Sequence, residues 1–544
     1  MSLFGSLYIG VSGLQTSQNA LNTTAHNMSN IDTVGYTRQQ VQQGTRIYKT
    51  LSTSATAISY QQTGLGVNYT QVKQVRDDFL DKAYRRESGR SAFYEVSTNA
   101  FEEVYNLFQE LDGEAFADSI SNLWKAVEDL ARDPGNAVGQ GVFVQRCSEF
   151  VTRSQAVYKG LKEYQDNLNN QVKRQVDTIN AYGKRIAELN EEIQKIEGGL
   201  VEKANDLRDE RNLLIDELSS MANIECRTNA DGNIIIKLEG KDFVKSDSAN
   251  EICLYTDLNT GFYTPYWKHL AKKDAGGNVT EEGIKGALLF NLNQTISTGM
   301  NTDIGALKSI LLARGDRRAT FADLHNSPNE AGGADIYNRE ISQSVMMNVQ
   351  AEFDQLIHAI TTQINKVFKD AAEAAGDYPD STYMRDSNGN PYQIFNTMSG
   401  GTDEKDFTVE NIIINGELKQ APSLLGFKKE DGTIDQETAD RLQAIFKEEN
   451  LTLNPNVKTK LDFVNYYDNL ISQVATSGNV SKEICTNQEL TVDNIAAARE
   501  QIVGTSSDEE MSNMVMFQNA YNASSRYINV ISEMMEHIIN TLGR

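Results

Sequence analysis

Both ends of this chain carry a seven-residue repeat, and no other feature restricts its folding as strongly. At the N-terminus Leu3, Leu7, Gly10, Leu14, Ser17, Leu21, Thr24, Met28 and Ile31 recur at alternating steps of four and three. Phe517, Tyr521, Ser524, Ile528, Ile531, Met535, Ile538 and Leu542 do the same at the C-terminus. Steps of four and three place side chains on one face of a helix, and a sustained repeat makes a seam for a second helix. The repeat does not fix either partner: each helix packs on its own domain, or the two pair as a coiled coil. Seams at both extremes favour the second arrangement, in which the chain leaves and returns at one place.

The helices differ in how they begin and what surrounds their seams. Between Leu14 and Ile31 no charged side chain occurs, although the chain holds 75 acidic and 51 basic residues. A neutral polar face of Ser, Thr, Asn and Gln suits burial against neighbouring chains by packing and hydrogen bonds. Gly5, Gly10 and Gly13 lower helix propensity, so this helix is weak when alone. Asp32 to Arg38 supplies a turn with Gly35 as its pivot. At the other end Asp508, Glu509 and Glu510 mark a helix start, where negative charge is favoured, with Ser506 or Ser507 as cap.

A length of 544 residues exceeds a single core and implies several domains. The net charge of -24 argues against nucleic-acid binding, since a phosphate backbone would be repelled. No apolar run of about 18 residues exists, so no membrane span is expected. The N-terminus lacks the basic-then-apolar pattern of a cleaved signal peptide. Cys147, Cys226, Cys253 and Cys485 are too dispersed for a zinc site or a disulfide scaffold, and free thiols are expected.

Between the ends, Asp77 to Leu130 is helical with a break near Asp112-Gly113, and Val142 to Ile196 is helical again. Ala204 to Cys226 forms a further amphipathic unit. From Ile224 the pattern changes to strands, with Asn229-Ala230-Asp231-Gly232 as a hairpin turn. Tyr255 to Trp267 is strand-like, and Gly283 to Gln294 leads back toward helix. Ile341 to Phe368 and Leu461 to Gly478 are helical and flank a loop-rich stretch with a short strand. The expected fold is therefore mainly α with inserted β-rich domains: an elongated multidomain protein whose N- and C-terminal helices pair in a coiled coil. The expected domains are 1–40 with 505–544 as terminal helices; 41–223 with 341–368 and 461–504 as a helical bundle with short strands; 224–340 as a mixed or β-rich outer domain; and 369–460 as a second outer insertion. Removal of 390–455 is then expected to spare assembly.

No catalytic constellation stands out. The five histidines, His26, His269, His325, His358 and His537, lack close metal-ligand spacing. Asp386, Asn388 and Asn390 around Gly389 faintly suggest a calcium loop, but Thr397 stands where a closing glutamate belongs, and a plain turn is expected. No G-x-S-x-G or phosphate loop is present. No cofactor or metal is expected, and the chain is not read as an enzyme.

The ends carry a resemblance. "NALNTTAHNMSNIDTVGYTRQ", Asn19 to Gln39, resembles the N-terminal signature of the bacterial flagellar axial proteins, matching at Asn27, Asn30, Thr33, Gly35, Tyr36 and Arg38. Val34 stands where that pattern often has proline, and Met28-Ser29 replaces its more usual Ile-Ala. The segment from Asp508 to Asn540 resembles the matching end signature, at Glu510, Asn513, Met514, Phe517, Gln518, Ala520, Tyr521, Ala523, Ser524 and Arg526. "ANDLRDERNLLIDELS", "NIIINGELKQAPSLL" and "FVNYYDNLISQVA" look like the hook-associated branch of that family.

The resemblance implies a structural protein of the bacterial flagellum, secreted through the type III export apparatus and placed at the hook–filament junction by helical self-assembly. It implies as partners further copies of the chain, the hook protein, the third hook-associated protein and an export chaperone. The implied axial interface comprises Leu7, Leu14, Leu21, Asn27, Met28, Asn30, Gly35, Tyr36 and Arg38 with Phe517, Tyr521, Arg526, Ile528, Ile531, Met535, Ile538 and Leu542. Leu14 and Leu21 are expected to point into the interhelical seam. The alternatives are a flagellar scaffold carrying an enzymatic outer domain and a coiled-coil adhesion protein; neither has a motif behind it.

Overall fold

The computed structural model describes residues 3–46, 49–52, 61–109, 116–199, 202–229, 231–274, 276–325 and 333–542. The expected helix break near Asp112-Gly113 lies outside them. The chain begins with helix α1 (Leu3–Ser29), strands β1 (Gln39–Thr45), β2 (Lys49–Ser52), β3 (Gln61–Thr63) and β4 (Val67–Gln74), and helices α2 (Asp78–Gln109), α3 (Phe116–Arg132), α4 (Ala137–Glu197) and α5 (Asn205–Met221). Strands β5 (Ile224–Thr228), β6 (Ile234–Leu238), β7 (Lys241–Val244), β8 (Ile252–Thr256) and β9 (Tyr263–Trp267) follow. Then come helices α6 (Glu281–Ile284), α7 (Ala306–Arg314), α8 (Phe321–His325), α9 (Gly333–Glu340) and α10 (Val345–Ala374), and strands β10 (Phe395–Thr397) and β11 (Ile412–Ile414). Helices α11 (Gly416–Gln420), α12 (Gln436–Lys447), α13 (Phe463–Val503) and α14 (Ser507–Leu542) complete the chain. The protein is mainly helical with inserted β regions, and its terminal helices α1 and α14 pack on one another.

Two compact units divide the chain: residues 1–89, 178–251 and 488–544 form the first, and 90–177 and 252–487 the second. In the first, β1 pairs antiparallel with β4, and β5, β6 and β7 form a meander. The β5–β6 pairing runs from Ile224 opposite Leu238 to Thr228 opposite Ile234, as the turn residues Asp231-Gly232 predict. Ile234, Ile236 and Leu238 are buried and alternate with partly exposed Ile235 and Lys237, the period-two pattern of a sheet with one covered face. Phe243 of β7 lies over Gly183 of α4, where a Cβ would come within 2.3 Å of its ring.

In the second unit α10 is the central element. Ser344 caps it, accepting a hydrogen bond from the Met347 amide. Buried residues occupy nearly its whole circumference, including Met346, Val349, Phe353, Leu356, Ile360, Ile364 and Phe368. Such a helix is a core helix rather than an amphipathic surface one. An aromatic group of Phe108, Phe116, Phe353 and Tyr467 packs beside it, with ring centroids 5.1 Å apart for Phe116–Phe353 and 5.2 Å for Phe116–Tyr467.

Two expectations need correction. Gly283 to Gln294 does not lead into a helix: α6 ends at Ile284, and Leu288 then bridges to Tyr266 as a short extension of the β8–β9 pair. The stretch 390–455 is not a detachable excursion. Phe407, Ile412, Leu425, Phe427, Leu442 and Phe446 are buried, Phe446 stacks on Trp124 of α3, and Phe427 meets Phe368 of α10 edge to face. Long aromatic side chains reach the helices from this segment, so the connectivity alone misleads. The Asp386–Asn390 loop is a plain turn, in which the Asp386 carboxylate accepts the Asn388 and Asn390 amides.

Candidate assembly site of the terminal helices

Helices α1 and α14 run antiparallel, with Gly10 against Ile528 and Gly13 against Ser524. A Cβ at position 10 would lie 2.8 Å from Ile528 Cγ1, and one at position 13 would lie 2.8 Å from Ser524 Oγ. The helices approach closely because α1 offers small residues there. Ser17, Ala20, Thr24 and Asn27 continue the Gly10–Gly13 stripe at steps of three and four, and all four are buried. Leu7, Leu14, Leu21 and Met28 are half-buried and flank this stripe. The point of closest approach therefore lies one residue from the leucines, on side chains that hydrophobicity does not mark.

On α14 the side chains nearest α1 include Ile528 and Ser524 of its four-and-three repeat. Ile531 is buried, and Phe517, Tyr521, Ser524, Ile528 and Met535 are half-buried. Arg526 and Ile538 are exposed, and the side chains of Leu3 and Leu542 lie outside the described residues. On another side α1 meets the β1–β4 hairpin, where the Val67 amide donates to Ser12 Oγ at 3.3 Å.

The loop after α1 is closed by one buried side chain. Asn27 Nδ2 donates to the Gln39 carbonyl at 2.8 Å, and Asn27 Oδ1 accepts from the Gln39 amide at 3.0 Å. The same oxygen accepts the Tyr36 hydroxyl at 2.7 Å. Burial, followed by the charges of Asp209, Asp206 and Glu510, raises the Tyr36 phenol, which keeps its proton available for this bond. Half-buried Asn30 binds the His26 carbonyl and accepts from Thr33 Oγ1. Gly35 sits at φ +82°, a left-handed turn position against Leu213 of α5 that favours glycine.

Arg38 carries the connection to the far end of the chain. Its guanidinium grips Glu509 with two parallel bonds, Nη1 to Oε2 at 2.9 Å and Nη2 to Oε1 at 2.7 Å. Its Nε lies 3.3 Å from Oε1 of Glu510, which is 2% exposed. The Arg38 amide donates to the Val503 carbonyl, and its own carbonyl accepts from the Val75 amide, each at 3.0 Å. Beneath the loop, Asp209 of α5 accepts from the Thr37 amide at 3.1 Å and from Gln74 Nε2 at 2.8 Å. Burial raises this carboxyl to about 6. Arg76, Asp81, Arg499, Asp216 and Arg85 extend an alternating chain of charges through the same unit. The sequence marked Glu509 only as part of a helix start and Glu510 also as a signature position, and nothing set Asp209 apart from the other acids beside it.

Paired terminal helices joined through a loop of this kind define a subunit of the flagellar axial class. The two ends match the families described as flagella basal body rod protein, over residues 7–37, and flagellar basal body rod FlgEFG protein C-terminal, over residues 501–541. The description flagellar hook-associated protein FlgK helical domain matches residues 101–381, half of the chain, and the chain belongs to the FlgK family. It is 26% identical over 545 residues to flagellar hook-associated protein 1 of Bacillus subtilis (strain 168), covering 100% of this chain and 99% of that protein. The proteins of the same name from Escherichia coli (strain K12) and Salmonella typhimurium are each 22% identical, covering 97% of this chain and 98% of theirs. A solved structure of the flagellar hook junction protein FlgK from Burkholderia pseudomallei overlaps 59% of this chain and 47% of its own, at 16% identity and a TM-score of 0.39. The role of the chain is structural and non-catalytic, at the hook–filament junction outside the cell. No described helix is long and apolar enough to cross a membrane.

Proposed function

We propose that α1 and α14 together form the element through which copies of this chain self-assemble into the junction. The observation behind this reading is the apolar surface that α14 leaves uncovered. Met511, Val515, Val530, Met534 and Ile538 are 54, 53, 46, 51 and 39% exposed. On α1, Phe4 and Tyr8 are likewise exposed. Exposed apolar groups near both ends of a helix already packed along another side offer association surfaces. In a helical assembly the contacts are heterologous, so these groups meet different patches on the next copies.

Family membership supports the remaining partners. The hook protein lies on one side of the junction and the third hook-associated protein on the other, and an export chaperone covers the chain before secretion. Met534→Asp tests the interface. A carboxylate there costs little in the free chain but is buried without a partner in the assembly. Secretion is expected to persist while retention on isolated hooks falls by about tenfold or more, as ~1.4 kcal/mol or more of lost interface energy requires. Normal retention would refute the reading.

A further inference from the structure

Helix α14 is apolar on two sides. Phe517, Tyr521 and Ile528 face α1, while Val515, Val530 and Met534 are exposed. Burial of apolar area is non-directional, so it discriminates weakly between these faces. The opposing surface of α1, small at Gly10, Gly13, Ser17 and Ala20 with half-buried Leu7, Leu14 and Leu21 beside them, selects only once the two helices are in close contact. Something other than hydrophobicity must decide which face turns inward.

We infer that Arg38 makes that choice: it is a positioning residue that fixes the rotation of α14 about its own axis before the seam closes. The Arg38 backbone is pinned between Val503 and Val75, so the guanidinium projects from a fixed base. Its bidentate bond to Glu509 and its contact with Glu510 engage two successive residues in the first turn of α14. Residues one apart lie about 100° around a helix, so gripping both defines the rotation as a single contact would not. The link from Val503 to α14 is only Gly504, Thr505 and Ser506, too short a turn to be far from the clamp but with no regular structure of its own. Fixing the inner face also fixes which apolar residues remain outside. The inference thus deepens the assembly reading and rests on it for its biological meaning, but its test needs no assembly.

The experiment uses the purified full chain with Gly13→Cys paired either with Ser524→Cys or with Asn522→Cys. A Cβ at position 13 lies 3.6 Å from the Ser524 Cβ, within disulfide range. Position 522 is exposed and about 200° around the helix from 524, so its disulfide reports the opposite face. Oxidised peptide pairs are quantified by mass spectrometry, which separates them from products of the native thiols. With Arg38 intact the 13/524 product is expected to dominate. Arg38→Gln is expected to lower the ratio of 13/524 to 13/522 by about tenfold, the scale of a lost charge-assisted hydrogen bond, and Arg38→Lys to restore part of it. If Arg38 merely stabilised the fold, both products would fall together and the ratio would stand. An unchanged ratio in Arg38→Gln overturns the inference, as does an intact chain that shows no preference for 13/524. Loss of assembly by Met534→Asp with the ratio unchanged leaves this inference standing, so the two readings fail separately.

Discussion

Replacing Glu352 by glutamine removes a carboxyl from the middle of α10, where none of its surface is exposed. Its oxygens accept from Asn454 Nδ2 at 3.0 Å and from Gln473 Nε2 at 3.1 Å. These bonds, and one with Asn348, favour the charged form without overcoming burial, which raises the carboxyl from 4.5 to about 7. Because the folded value is the higher one, folding takes up a proton between these limits. The contribution to stability is complete below pH 4.5 and is lost as pH rises through 7. At ~1.4 kcal/mol per unit, ionised Glu352 costs the folded state roughly 3 kcal/mol at pH 8. Glutamine imitates the protonated acid and does not titrate. Glu352→Gln is therefore expected to match the native chain at pH 4.5 within about 1 kcal/mol, the scale of one altered hydrogen bond, and to be roughly 2 to 3 kcal/mol more stable at pH 8. Both tryptophans, Trp124 and Trp267, lie in the same compact unit as Glu352, so urea denaturation followed by tryptophan fluorescence reports on it. Buried Asp354, raised to about 6, titrates in the same window; the difference between variant and native chain removes most of its effect. A stability difference that does not change between pH 4.5 and pH 8 would refute the reasoning.

Asn27→Ala leaves the Tyr36 hydroxyl and both backbone groups of Gln39 without their partner, and is expected to cost roughly 2 to 4 kcal/mol locally. Hydrogen exchange should show faster amides across residues 28–40 and unchanged protection in α10. Deleting 390–455 uncovers Trp124 and Phe368, whose ring partners Phe446 and Phe427 leave with the segment. At roughly 3 to 5 kcal/mol for each large aromatic lost from a core, the second unit is expected not to fold cooperatively; native-like near-ultraviolet circular dichroism in the deletion variant would contradict this.

The sequence made some of these features readable and hid others for physical reasons. The seam of α14 was legible because Phe517, Tyr521, Ile528 and Ile531 are large, and their spacing repeats. The matching stripe of α1 was legible only in part: the repeat includes Gly10, Ser17 and Thr24, but it places the leucines beside them in the seam where Gly13, Ala20 and Asn27 make the close approach. Asn27, Gly35, Tyr36 and Arg38 were recognisable as a signature, but their mutual bonds form across a turn that spacing does not describe. Glu352 and Asp354 stand in "QAEFDQ", a charged and polar stretch that carries no sign of burial. They are buried because α10 is surrounded on all sides by segments distant in sequence, including Phe321, Val409, Asn454 and Gln473. The extent to which 395–447 closes over α3 and α10 was hidden in the same way.

The meeting of Arg38 with Val75, Val503, Glu509 and Glu510 has a consequence for the order in which the molecule is completed. As the chain emerges from the ribosome, α1 precedes its partner by nearly the whole polypeptide. Contacts so distant in sequence form late. A product that ends between β4 and Ser507 retains every residue of the N-terminal signature but lacks the carboxylates that Arg38 grips and the α14 side of the seam, leaving α1 with only the β1–β4 pair to pack on. The closing contact thus doubles as proofreading: only a chain translated to its end can finish the structure with which it begins.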